Sequence, residues 1–111
     1  NPSTDPARNV RGANRLAIEA LPLFPTMPNG MHLATTGFTG RRSSDTFWTW
    51  PVWTVPISID TCRSMLAHSE LAQLKPKLSN LTPLGIAAIV RSQLLTTGKF
   101  RNFTPSVAIG S

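Results

Sequence analysis

Ten prolines and seven glycines divide this 111-residue sequence into short segments. A proline lacks the backbone donor and fixes its own φ, so it ends a helix interior and disrupts a central strand. The chain therefore has little room for long helices, and its strands must be bounded by turns. The hydrophobic fraction of 41% and the recurrence of Leu, Ile, Val, Phe and Trp along the whole length still supply enough apolar surface for one core. The reading is a single compact domain, soluble and globular.

Residues 1–12 read as a lead-in segment, in which Asp5-Pro6 has the order of a cap followed by a first helical position. From Ala13, the positions Leu16, Ala17, Ala20, Leu21 and Phe24 fall on one helical face, and Pro22 and Pro25 end the helix. Asn29-Gly30 is a turn signal, and residues 31–38 follow as a strand. The polar loop Gly40-Arg41-Arg42-Ser43-Ser44-Asp45 reads as a hairpin tip. Residues 46–55 are aromatic and β-branched. In an extended chain Phe47, Thr49, Pro51 and Trp53 share one face, and Trp48, Trp50 and Val52 share the other. Pro51 and Pro56 mark this strand as an edge strand or one broken by bulges.

Ser58 is placed to cap a second helix with Asp60 in its first turn, and Pro76 closes that region. Residues 85–95 read as a strand carrying Arg91, Thr96-Thr97-Gly98-Lys99 as a turn, and Phe100-Arg101-Asn102-Phe103 as its return. The order helix, hairpin, helix, hairpin predicts an α+β fold: a small antiparallel sheet of two hairpins packed with two short helices. Residues 13–105 form the module, and residues 106–111 read as a flexible end.

Charge is sparse and one-sided. Eleven Lys+Arg face five Asp+Glu, a net charge of +6, and only 14% of residues are charged. Such a balance favours an anionic partner, by counterion release where that partner is nucleic acid. The cations gather in three places: the stripe Arg8, Arg11 and Arg15, the loop Arg41 and Arg42, and the turn Lys99 and Arg101. Aromatic rings beside arginines invite base stacking. Aromatics on both faces of residues 46–55 also suit a core or a partner interface, the role assigned to Trp48, Trp50 and Trp53. Arg91 and Arg63 are read as buried partners of the scarce acids.

Catalytic chemistry finds little support. Cys62 and His68 lie about 240° apart around a helix, too far for a local nucleophile–base pair, and Cys62 reads as a buried, inert thiol. Five scattered acids show no metal-ligand spacing and no close pair, and no phosphate-loop, dinucleotide or zinc-protease motif is present. The expectation is a non-enzyme without metal, cofactor or small-molecule substrate. One cysteine suits a reducing cytoplasm, no apolar run approaches the roughly 20 residues of a membrane helix, and the polar start shows no signal-peptide pattern. The sequence reads as processed, trimmed or part of something longer.

Four strings stand out: Arg11-Gly12-Ala13-Asn14-Arg15-Leu16-Ala17-Ile18-Glu19-Ala20-Leu21-Pro22-Leu23-Phe24-Pro25, Ala34-Thr35-Thr36-Gly37-Phe38, Phe47-Trp48-Thr49-Trp50-Pro51-Val52-Trp53, and Gly98-Lys99-Phe100-Arg101-Asn102-Phe103-Thr104-Pro105. Together they resemble the C-terminal region of accessory and large-subunit proteins of type I CRISPR systems, subtype U, now G. The resemblance implies a non-catalytic subunit or domain of an RNA-guided Cascade complex. Guide RNA, target DNA and other Cascade subunits would be its partners, and a separate helicase–nuclease would cleave. In such complexes the protein reads backbone and shape while base pairing reads sequence. The chain departs from the family in being far shorter than a large subunit and less helical than small subunits. The other reading is a structural protein–protein docking module without direct nucleic-acid contact.

Overall fold

The structure, a computed structural model, describes residues 4–40 and 46–110; for residues 4–10 and Thr97 the backbone alone is described. The fold is α+β, with a two-stranded and a five-stranded antiparallel sheet. Helix α1 spans Thr4–Ala20 and ends in a 3-10 turn at Leu21–Leu23, where Pro22 arrives. It begins well inside the expected lead-in, because Pro6 falls in its first turn, where a missing amide donor costs nothing. At 17 residues it is not short. Its residues 11–19 are exposed, including Leu16 at 70% from the expected buried face.

Strands β1 (Thr26–Asn29) and β2 (His32–Thr35) form a hairpin around Gly30, whose φ of +64° suits the turn. The strand expected over residues 31–38 divides at Thr36-Gly37. Strand β2 stays with β1, whereas β3 (Phe38–Thr39) joins the main sheet. Gly37 makes that switch possible. Its φ is +87°, and a Cβ there would lie 3.3 Å from Cδ1 of Trp48.

The main sheet runs β3, β4 (Phe47–Trp53), β5 (Ile86–Thr97) and β6 (Phe100–Phe103), and β7 (Val107–Ile109) also pairs with β5. Strand β4 lies inside the sheet, but β3 covers only Phe47 and Trp48. The Thr49 amide donates to the Gly37 carbonyl at 2.9 Å, so alternate amides of β4 point away from β5. Pro51 has this parity, and its missing donor falls on the side β3 leaves open. The edge-strand expectation thus holds only locally, and the bulge falls on the partner strand rather than on β4: Val52 pairs with Ala88 but Trp53 with Ile86, leaving Ala87 of β5 as an extra residue. That bulge turns Ile86 to the same face as Ile89.

The last residues are not a loose end. Strands β6 and β7 run along β5 as one interrupted strand: Phe103 faces Leu94 and Val107 faces Arg91, so residues 104–106 oppose only residues 92–93. Ile109 packs against the core of Leu71, Leu81, Ile86 and Ile89, which gives β7 apolar burial as well as strand pairing.

Helix α2 spans Ile59–Leu66. The Ser58 hydroxyl accepts from the Thr61 amide at 3.2 Å and Asp60 sits in the first turn, the expected cap. Cys62 is half-buried and free. Three 3-10 turns follow, at Ser69–Ala72, Leu78–Asn80 and Thr82–Leu84. Glu70 joins the first two: it accepts from the Asn80 side-chain amide at 2.7 Å and from the Lys77 backbone amide at 3.0 Å. Those bonds hold its carboxyl below the ordinary value of 4.5. The unfolded chain therefore binds the proton more readily, so this contribution is full above about pH 4.5 and is lost as pH falls through the folded value. Urea midpoints measured down the acid limb should fall less steeply for Glu70→Gln than for the native chain; identical slopes would remove Glu70 from the acid response.

Candidate nucleic-acid interface

The sheet has two unlike faces. On one, Thr49, Pro51, Ile89 and Arg91 are buried beneath the segment that follows α2. On the other, pairing aligns Phe38 with Trp48, Trp48 with Ser92, Leu94 with Phe103 and Thr96 with Arg101. Paired residues share a face and alternate residues along a strand do too, so Phe38, Trp48, Trp50, Phe103 and Arg101 lie on one side.

Trp48 is the hub of that side. Its ring lies 5.9 Å from Phe38 and nearly parallel, 6.0 Å from Phe103, 4.6 Å from Trp50, and edge-on to Phe24 at 6.0 Å. Phe38 and Phe103 are themselves 6.2 Å apart. Trp48 and Trp50 are half-buried among these rings, while Trp53 reaches the core on the opposite face. The indole N–H groups of Trp48 and Trp53 are buried and find no hydrogen-bond partner among the described residues.

The basic positions are distributed unevenly. Arg11 and Arg15 are exposed on α1, and Arg15 lies 3.4 Å from Glu19, four residues on, as the spacing predicts. Both groups are largely in solvent, where such a pair contributes at most a few tenths of a kcal/mol. Lys99 and Arg101 are exposed at and just after the tight turn that joins β5 to β6. Arg8 lies on α1, but its side chain is outside the described residues, as are Arg41 and Arg42 entirely.

The expected pairing of Arg91 with an acid does not occur among the described residues. Its Nε donates to the Thr49 hydroxyl at 2.7 Å, Nη1 to the Leu74 carbonyl at 2.9 Å, and Nη2 to the carbonyls of Gln73 at 2.8 Å and Leu71 at 3.2 Å. The guanidinium carbon also sits 5.4 Å from the centre of the Phe47 ring. Burial pulls its pKa down. The local reason is that the chain leaves a 3-10 turn at residues 71–74 with carbonyls unmatched, and a planar five-donor fork serves several at once. Arg63 does meet an acid, Asp60, at 3.5 Å, but at the surface rather than in the core. Only the presence of Arg91 in a strand otherwise free of charge hinted at this arrangement.

His32 is exposed on β2, and the His68 Nδ1 accepts from the Glu70 amide at 3.0 Å. Two hollows flank the sheet: a groove of 340 Å³ between the β1–β2 hairpin and residues 66–72, and an apolar one of 210 Å³ beside Phe24, Trp53 and Cys62. Among the described residues, no group of three or more His, Cys, Asp or Glu could hold a metal ion. No described helix is long and apolar enough to cross a membrane. No protein-family model, curated protein or solved structure matches the chain.

Proposed function

We propose that this chain is a non-catalytic, basic module that binds nucleic acid, and that the assembly it serves is an RNA-guided Cascade complex holding guide RNA and target DNA. The observation that carries the nucleic-acid reading is the placement of charge. Arg11, Arg15, Lys99 and Arg101 are all exposed, and strands β3–β7 contain no Asp or Glu. The assembly rests on the sequence resemblance.

The test is titration of the full chain against labelled RNA and DNA over a range of salt concentrations. Counterion release predicts that log affinity falls linearly with log salt, by roughly 0.7–0.9 for each phosphate engaged. A salt-independent affinity, or none, would refute the reading.

A second reading, a docking module for another protein, is favoured by a different observation. Leu16 and Ile18 on α1 are 70% and 65% exposed, and Met31 and Leu33 of the first hairpin are 97% and 76% exposed. Size-exclusion chromatography with and without RNA separates the two, since self-association independent of RNA favours docking.

A further inference from the structure

We infer that the Phe38–Trp48–Phe103 face of the sheet, flanked by Arg101, is a stacking site for the unpaired bases of single-stranded nucleic acid. This rests on the nucleic-acid reading above and deepens it by naming the form of nucleic acid recognised.

Three strands deliver the three rings. Phe38 comes from β3, Trp48 from β4 and Phe103 from β6, and each ring touches the other two at centroid distances of 5.9–6.2 Å. Trp50 supports Trp48 from the neighbouring position on β4. Mutual contact fixes the rings, yet Phe38 and Phe103 keep 36% and 38% of their surface in solvent. The three rings are thus in mutual contact and still open on one side, while the opposite face of the sheet is buried. Preorganised and half-open, these offer the flat apolar surface on which a base can stack, whatever its identity.

Charge points to the same occupant. Arg101 lies two residues before Phe103 on the same side of β6, roughly 6.8 Å along the strand. Arg91 is buried on the other face, so Arg101 is the exposed charge of strands β3–β7, and Lys99 stands in the adjoining turn. No carboxylate on these strands opposes a phosphate. A ring cluster beside a guanidinium fits a chain whose apolar bases and anionic backbone alternate. Duplex bases are stacked on one another and present no free face to such a surface.

The experiment measures binding of the 111-residue chain to a labelled oligouridine of about 12 nucleotides, within the range such sites cover, and to a duplex of equal length. The strand should bind at least tenfold more tightly than the duplex. Phe38→Leu and Phe103→Leu, which keep apolar bulk but remove the π face, should each weaken strand binding about tenfold. They should leave the salt slope and duplex affinity unchanged, and Phe103→Tyr should retain native binding. Should Phe38→Leu fail to fold, Phe103→Leu on the outer strand carries the test, with denaturation curves as the check. Equal affinity for strand and duplex, or native affinity in the leucine variants, overturns the stacking site while leaving the polyanion reading intact. Absence of binding to either nucleic acid overturns both.

Discussion

Replacing Arg91 with methionine should destabilise the protein by about 3 kcal/mol or more, a large share of the roughly 5–15 kcal/mol that holds a domain of this size together. The substitution keeps much of the aliphatic length but removes every donor from a site 7% exposed. Three carbonyls, of Leu71, Gln73 and Leu74, lose a charged partner together with the Thr49 hydroxyl. The Thr49 hydroxyl and the Leu71 carbonyl are buried, and each buried acceptor left unpaired costs about 1–3 kcal/mol, whereas the part-buried carbonyls of Gln73 and Leu74 can turn to water. Arg91→Lys should fall between the two, because an ammonium has the charge but not the planar fork that reaches several acceptors at once. Arg101→Met, at an exposed position, should change stability by no more than about 0.5 kcal/mol. Urea denaturation of the three variants provides the measurement. An Arg91→Met protein as stable as the native one would mean that the guanidinium does not fasten residues 71–74 to the sheet.

Neutralising the exposed cations should have the largest effect on binding. The variant carrying Arg11→Gln, Arg15→Gln, Lys99→Gln and Arg101→Gln lacks four charges able to meet phosphates. Its salt slope should fall by about 3 units, and its affinity near 0.1 M salt by roughly tenfold for each phosphate no longer neutralised. The reduction should be similar for unrelated sequences, because protein–phosphate hydrogen bonds carry no base information. Stability should scarcely move, since the Arg15–Glu19 pair is exposed and contributes little. Comparison with the Phe103→Leu protein separates the two interactions: glutamines change the slope, whereas leucine lowers strand affinity at constant slope. An unchanged slope in the fourfold variant would show that these cations do not meet the phosphates.

Much of the local structure is legible in residue order because its causes act over a few residues. Ser58 caps α2 through an amide three positions away, and Asn29-Gly30 turns the first hairpin. Alternation through residues 47–53 separates Trp48 and Trp50 from Thr49 and Pro51 before any partner strand is known. The candidate interface is legible as composition: Arg11, Arg15, Lys99 and Arg101 stand out as cations in the sequence, and all four are exposed in the fold.

The helical face at Leu16, Leu21 and Phe24 shows where that reasoning stops. Periodicity says that these residues share a side, but burial requires a second surface, and only Phe24 finds one in the Trp48 ring. Residues 107–109 show the converse. Their short run of apolar residues carries little signal alone, yet β5 offers a free edge and the core admits Ile109.

By itself, then, the sequence determined the α+β class, the cap, the turns, the alternation of β4 and the excess of positive charge. Those follow from backbone sterics, hydrogen bonds and charges fixed within a few residues. The tertiary structure alone decided that Arg91 would bind carbonyls rather than acids, that the final residues would join the sheet, and that Phe38, Trp48 and Phe103 would meet beside Arg101. Each depends on segments tens of residues apart, from Trp48 to Phe103 or Leu71 to Arg91, brought together by strand register and burial, which no local window contains.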